Sequence, residues 1–224
     1  MRFVAAAWAV FLNDARLELR TRTALGALAL FVAASLLLVR IALGTLAVSV
    51  PVWAALLWLV IVFAGAVGLG RAFVAEEERG TTLLLRLAAP PAAVYAGKLL
   101  FNVALTLALA AAAALGLGFL VPAPLGAPGL LAATLALGAV GLAGTTTLLS
   151  ALLARARAAG PLLPVLAFPM LVPLLIPGVS LTMLAADGTV GVWASAVDDL
   201  VSLGAYAGLS ITASFLLFDY VWKD

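Results

Sequence analysis

Long apolar runs with almost no charge inside them limit this chain more than any other feature. A bilayer hydrocarbon core about 30 Å thick is crossed by roughly 20 apolar residues of helix. Six stretches, at about 24–47, 51–74, 99–121, 129–153, 161–184 and 200–221, reach that length. Inside a bilayer each segment must satisfy its own backbone hydrogen bonds, so each run reads as a helix. The fold class expected is therefore all-α: a polytopic membrane protein with six transmembrane helices, forming a single transmembrane domain over residues 1–224. Composition agrees, because the chain is 66% hydrophobic and 10% charged, against about 45–50% and about 25% in soluble domains. Disordered and collagen-like readings are excluded. A formal net charge of +2 gives no polyanion footprint, so no nucleic acid is expected as a partner. No small-residue cleavage site follows a short apolar region near the N-terminus, so no removable signal peptide is expected.

The chain has no His and no Cys. Thiol redox work, Cys/His zinc sites, His general-base catalysis and bis-His haem ligation are thereby removed. A haem ligand would have to be Met170, Met183, a Tyr or a carboxylate, and none has a second suitable ligand beside it in sequence. A cofactor handled by this protein is expected to be held by a partner.

Basic residues near span ends stay on the cytoplasmic side. With six spans, 11 of the 12 basic residues fall on one side, and only Arg40 falls on the other. Both termini are expected to be cytoplasmic. The opposite loops are the uncharged, Pro- and Gly-rich stretch 121–129 and a longer one carrying Asp187, Asp198 and Asp199. Arg40 lies near a span end, where a long side chain reaches the head groups.

Residues 1–23 differ in kind. Val4, Trp8, Phe11, Ala15 and Leu19 recur at steps of three or four, while Asn13, Asp14, Arg16, Glu18 and Arg20 cover other faces. This is the pattern of an interfacial helix, the plainer alternative being a polar lead-in to span 1. Glu18 and Arg22 also form an i, i+4 pair in the favoured order.

The loop after span 2, about residues 75–91, carries more than a connector needs. Glu76, Glu77, Glu78 and Arg79 are followed by Gly80, Thr81 and Thr82, then by Leu84, Leu85 and Arg86 within an apolar stretch stopped by Pro90 and Pro91. Thr81 or Thr82 can cap a short helix that Pro90 ends. Such a helix either lies on its own bilayer surface or docks into a groove on a soluble partner. No phosphate-loop motif occurs, and Gly97-Lys98 opens a membrane span, so ATP hydrolysis by this chain is not expected.

Within the spans, Gly65, Gly68 and Gly70, then Gly138, Gly141 and Gly144, then Gly204 and Gly208 invite close helix approach, chiefly within the chain. Intramembrane charge is nearly absent, so an external energy source is expected and no proton relay is supported. Span 5 holds Pro161, Pro164, Pro169, Pro173 and Pro177 and is expected to be kinked or split.

Three blocks together resemble one known family. They are Arg16-Leu-Glu-Leu-Arg20, the loop from Glu76 to Lys98, and the Pro-rich string 162–176 of span 5, in matching order and spacing over essentially the whole chain. The chain resembles the CcmB family, the permeases of the bacterial cytochrome c maturation system, also called haem exporter protein B. One departure is Leu83 and Leu84, where members commonly carry an acidic or amide residue. The resemblance implies an ABC-2-type permease subunit in the bacterial cytoplasmic (inner) membrane, with no ATPase of its own. ATP would be bound by a separate ATPase, CcmA, and haem handled by a complex that includes CcmC, the small protein CcmD and the periplasmic haem chaperone CcmE. On this resemblance, Glu76, Glu77, Glu78, Arg79, Gly80, Thr81, Thr82, Leu84, Leu85 and Arg86 form a short cytoplasmic coupling helix and its lead-in, docking on the ATPase. Pro164, Pro169 and Pro173 shape a kinked or discontinuous span that faces other protein and relays the power stroke, or else hold a static kink. The absence of His favours an account in which ATP hydrolysis drives release of loaded chaperone. Two other classes share the spans: an ABC-2-type permease exporting a lipid, glycan or drug, and a non-transporting assembly scaffold.

Overall fold

A computed structural model describes residues 2–44, 46–69, 90–154 and 159–223. The elements are α1 (Arg2–Thr21), α2 (Thr23–Leu43), α3 (Val50–Leu69), α4 (Pro91–Leu120), α5 (Pro128–Ala154), α6 (Ala159–Asp187), the single turn α7 (Val192–Ser195) and α8 (Val197–Lys223). Among the described residues there is no strand. Five helices, α2, α4, α5, α6 and α8, are long and apolar enough to cross a membrane. The described apolar part of α3, Val50–Ala66, is shorter, and residues 70–74, expected to complete that span, lie outside the described residues.

The bundle is built around α5. In its most apolar window 78% of residues are buried, against 17% for α2 and for α8. Small residues on α5 and α6 make room for large ones on α3. Trp58 is 2% exposed and lies between Gly138 of α5 and Gly178 of α6. A Cβ at Gly178 would stand 2.7 Å from its Cζ2, and one at Gly138 would overlap the far edge of the same ring. The indole N–H donates to Thr182 Oγ1 at 2.9 Å, and Thr182 donates to the Gly178 carbonyl at 2.7 Å. Without a hydrophobic force between helices in lipid, such packing and hydrogen bonding must hold them together.

Hydrogen bonds also fix which helix ends meet. At one end the Trp53 indole donates to the Val121 carbonyl at 3.0 Å, joining the start of α3 to the end of α4. There too, Gly126 N–H and Ala127 N–H donate to the Ala186 and Ala185 carbonyls at 3.2 and 2.9 Å, satisfying carbonyls that the end of α6 leaves open. Gly188 turns away from α6 at φ 57° against Gly126, where a side chain would meet the facing backbone. This end carries Arg40, whose guanidinium bonds the Gly44 carbonyl, together with Asp187, Asp198 and Asp199. At the opposite end Tyr95 of α4 packs on Phe215 and Phe218 of α8, with ring centroids 5.0 and 4.9 Å apart. The spans therefore run up and down between two chemically different ends.

Three sequence expectations change here. Pro90 and Pro91 open a membrane helix as well as standing where a shorter one was expected to stop. Pro91 occupies the first position of α4, and the Ala93 and Val94 N–H groups donate to the Pro90 carbonyl. Proline is tolerated there because that N–H has no helical partner in any case, so the span expected from residue 99 begins eight residues earlier. Span 5 is not split: α6 runs as one helix through all five prolines. Pro161 sits in its first turn, where proline is tolerated. Pro169 and Pro173 lie exposed, so the carbonyl side they disturb faces away from the rest of the chain. Finally, Gly204 and Gly208 meet nothing within 4 Å, so this pair packs no helix of its own chain, whereas Gly68, Gly141 and Gly144 do.

Candidate functional site

The residues 76–86 expected to form the coupling segment lie outside the described residues. Of the span 5 prolines, Pro164, Pro169 and Pro173 all fall within α6, with Pro169 and Pro173 on its outward face beside Phe168, Met170 and Val172. The Tyr206 hydroxyl of α8 donates to the Met170 carbonyl, between these two prolines, at 2.8 Å. It also lies 2.8 Å from Thr145 Oγ1 of α5, tying three helices at one point. Nearby, Asn102 Nδ2 donates to Thr147 Oγ1 at 2.7 Å, with both residues buried. Other span hydroxyls, such as those of Thr106, Thr134 and Thr146, donate to backbone carbonyls of their own helices. Among the described residues, no group of three or more His, Cys, Asp or Glu side chains converges as metal ligands would.

The most strongly built polar feature lies where α1 meets α4. Ala7, Val10 and Asp14 are three and four residues apart and so share one face of α1. That face rests on Gly97 and Lys98. A Cβ at Gly97 would stand 2.5 Å from the Ala7 carbonyl oxygen and 2.6 Å from Val10 Cβ, so only glycine admits this approach. The next residue supplies charge: Lys98 Nζ lies 3.2 Å from Asp14 Oδ2, with the side chains 2% and 11% exposed. A buried ammonium is tolerated only when paired, and removing one partner of such a pair costs on the order of 3–5 kcal/mol.

The C-terminal end of α1, one turn beyond Asp14, is secured to α2. Glu18 Oε1 accepts the Leu25 N–H at 2.8 Å, capping α2, and the Glu18 carbonyl accepts the Arg22 N–H at 2.6 Å. The Glu18 carboxylate expected to face Arg22 therefore serves the first turn of α2. Arg22 takes the left-handed conformation, φ 54° and ψ 18°, which costs a residue with a Cβ about 1–2 kcal/mol.

On its remaining faces α1 carries an exposed apolar stripe. Val4, Trp8 and Leu19 are exposed, and Trp8 stacks on Phe11 with centroids 4.9 Å apart. Arg16 and Arg20 are also exposed, about a quarter turn or more from that apolar stripe. Asp14, Gly97 and Lys98 were not legible as a site. The available signal was a lone lysine preceded by glycine within the first turns of an apolar helix.

A family model described as CcmB protein matches residues 5–214. No curated protein and no solved structure matches the chain.

Proposed function

Since the chain belongs to the CcmB family, the haem-exporter permease subunit of cytochrome c maturation, we propose that it couples ATP hydrolysis by a separate ATPase subunit to haem delivery on the far side of the membrane. The observation that carries this reading is the extent of the family match, which runs from α1 into α8. The two unlike ends of the bundle support it. Arg2, Arg16, Arg20, Arg22, Lys98 and Lys223 belong to one end, and Arg40 with three aspartates to the other. By the rule that basic residues stay inside, the first end is cytoplasmic and holds both termini, and α3 is the sixth span.

The ATPase, a CcmA-like protein, docks at the cytoplasmic end on the segment from Glu76 to Arg86. CcmC-like and CcmD-like membrane proteins lie beside the spans, and the aspartate-bearing end faces the CcmE-like chaperone. Haem is ligated by these partners and ATP by the ATPase, and this subunit passes on movement. The absence of His and Cys supports that division of labour.

The test is genetic. A bacterium lacking its own copy of this subunit should regain holocytochrome c when this chain is supplied together with its ATPase. It should not regain it when the ATPase carries a phosphate-loop substitution. Holocytochrome formed equally well with the inactive ATPase would overturn the coupling role.

A further inference from the structure

We propose that Asp14 and Lys98 lock α1 to the first turns of α4, making α1 a strap that carries movement at the start of α4 to the start of α2, with Lys98 as its positioning residue. The inference rests on the coupling role above for its purpose, but on the geometry alone for its existence.

Three observations carry it. First, the seat is steric and electrostatic at adjacent residues. Gly97 lets the backbone of α1 approach until any side chain there would strike the Ala7 carbonyl, and Lys98 meets Asp14 at 3.2 Å. Lys98 is buried against a segment 84 residues away in sequence, so undocking α1 would strip a buried ammonium of its Asp14 partner.

Second, the C-terminal end of α1, one turn beyond Asp14, is fixed as well. Glu18 caps the Leu25 N–H, and the bend at Arg22 is a single residue held in a left-handed conformation. One residue in a left-handed conformation between two helices, the second capped from the first, transmits displacement where a slack linker would absorb it.

Third, the two attachment points differ in burial, and α2 and α4 also pack on each other directly farther along, Leu36 against Gly116. The α2 window is among the least buried of the spans, whereas Tyr95 and Lys98 at the start of α4 are fully enclosed by α1 and α8. In sequence, α4 follows the segment from Glu76 to Arg86 proposed to receive the ATPase. Movement delivered there reaches the start of α2 through α1, beside the direct packing of Leu36 on Gly116.

The experiment compares the full chain, co-expressed and purified with its ATPase, in four forms: wild type, Lys98→Met, Asp14→Leu with Lys98→Met, and the exchange Asp14→Lys with Lys98→Asp. The double apolar form removes both charges of the pair together and keeps the test valid if Lys98→Met fails to fold. Hydrogen exchange of residues 2–21 should accelerate at least tenfold in the double form and return toward wild type in the exchanged one. ATP hydrolysed per cytochrome c matured should rise at least threefold in the double form, with ATPase still bound. A clamp needed only for stability would lower protein and maturation together and leave that ratio unchanged, which would overturn the strap. Unchanged exchange of residues 2–21 in the double form would overturn the lock itself, whatever the chain does. A wild-type chain that binds no ATPase and matures no cytochrome would instead overturn the functional reading, leaving the exchange result to judge the lock.

Discussion

Replacing Gly178 by alanine should destabilise the protein although alanine is the better helix former. The added methyl would stand 2.7 Å from Trp58 Cζ2 and 2.9 Å from Cε2, where carbon atoms prefer about 3.5–4.0 Å. The ring has no room to retreat, because Gly138 already receives its far edge. Overpacking of this kind costs about 1–3 kcal/mol. If the ring tilts enough to break its 2.9 Å bond to Thr182, a buried indole N–H is left unpaired at a further ~1–3 kcal/mol. Against this stands the helical preference of alanine over glycine, about 1 kcal/mol. The balance is a net loss of up to about 2 kcal/mol if the bond to Thr182 holds and roughly 1–5 kcal/mol if it breaks. Gly204→Ala is the control, since nothing lies within 4 Å of its Cβ position; there only the preference acts, and stability should rise by up to about 1 kcal/mol. Equilibrium unfolding of purified protein in mixed micelles, followed by Trp fluorescence, gives both values. Two alanine variants that shift in the same direction by the same amount would refute the account of how α3 is seated.

Three further outcomes are expected. Arg22→Gly should keep or raise stability by up to about 1 kcal/mol, whereas Arg22→Val should lose at least that much, because a β-branched residue resists positive φ; thermal unfolding in detergent distinguishes them. Asn102→Leu should cost roughly 0.6–1.7 kcal/mol, the range for hydrogen bonds between membrane helices, and a double-mutant cycle with Thr147→Val should return most of it as coupling. Purified chain titrated with haem should show no sharp Soret band of ligated iron, and stoichiometric binding lost on replacing Met170 would contradict the assignment of haem to partners.

The helical, membrane-spanning nature of the chain was legible because apolar runs of about 20 residues have few other uses. The exposed apolar stripe of Val4, Trp8 and Leu19 was legible for a related reason: its period belongs to one helix and needs no partner to be seen. What pairs across helices was not. Nothing local to Lys98 says that it is buried, since a lysine at the head of a span ordinarily reaches for the head groups; its ion pair with Asp14 joins residues far apart in sequence. Pro90-Pro91 reads equally as the stop of one helix and the start of another, and the start of α4 was missed on that ambiguity. The five prolines overstated the break in α6, because one lies in its first turn and two lie on the outward face. The glycines of spans 4 and 6 look alike in sequence, yet Gly141 faces Leu174 and Tyr206 while Gly204 faces open space.

The central claim is that this subunit transmits work from a bound ATPase. The most direct measurement is purification of the tagged chain in mild detergent from cells expressing the cytochrome c maturation proteins, with and without Leu84→Asp and Leu85→Asp. The ATPase should co-purify with the unaltered chain and be lost from the double variant, which should still reach the membrane in normal amount, since a carboxylate buried at a contact costs several kcal/mol. ATPase retained at the same level by the variant, or never recovered with the unaltered chain, would contradict the account.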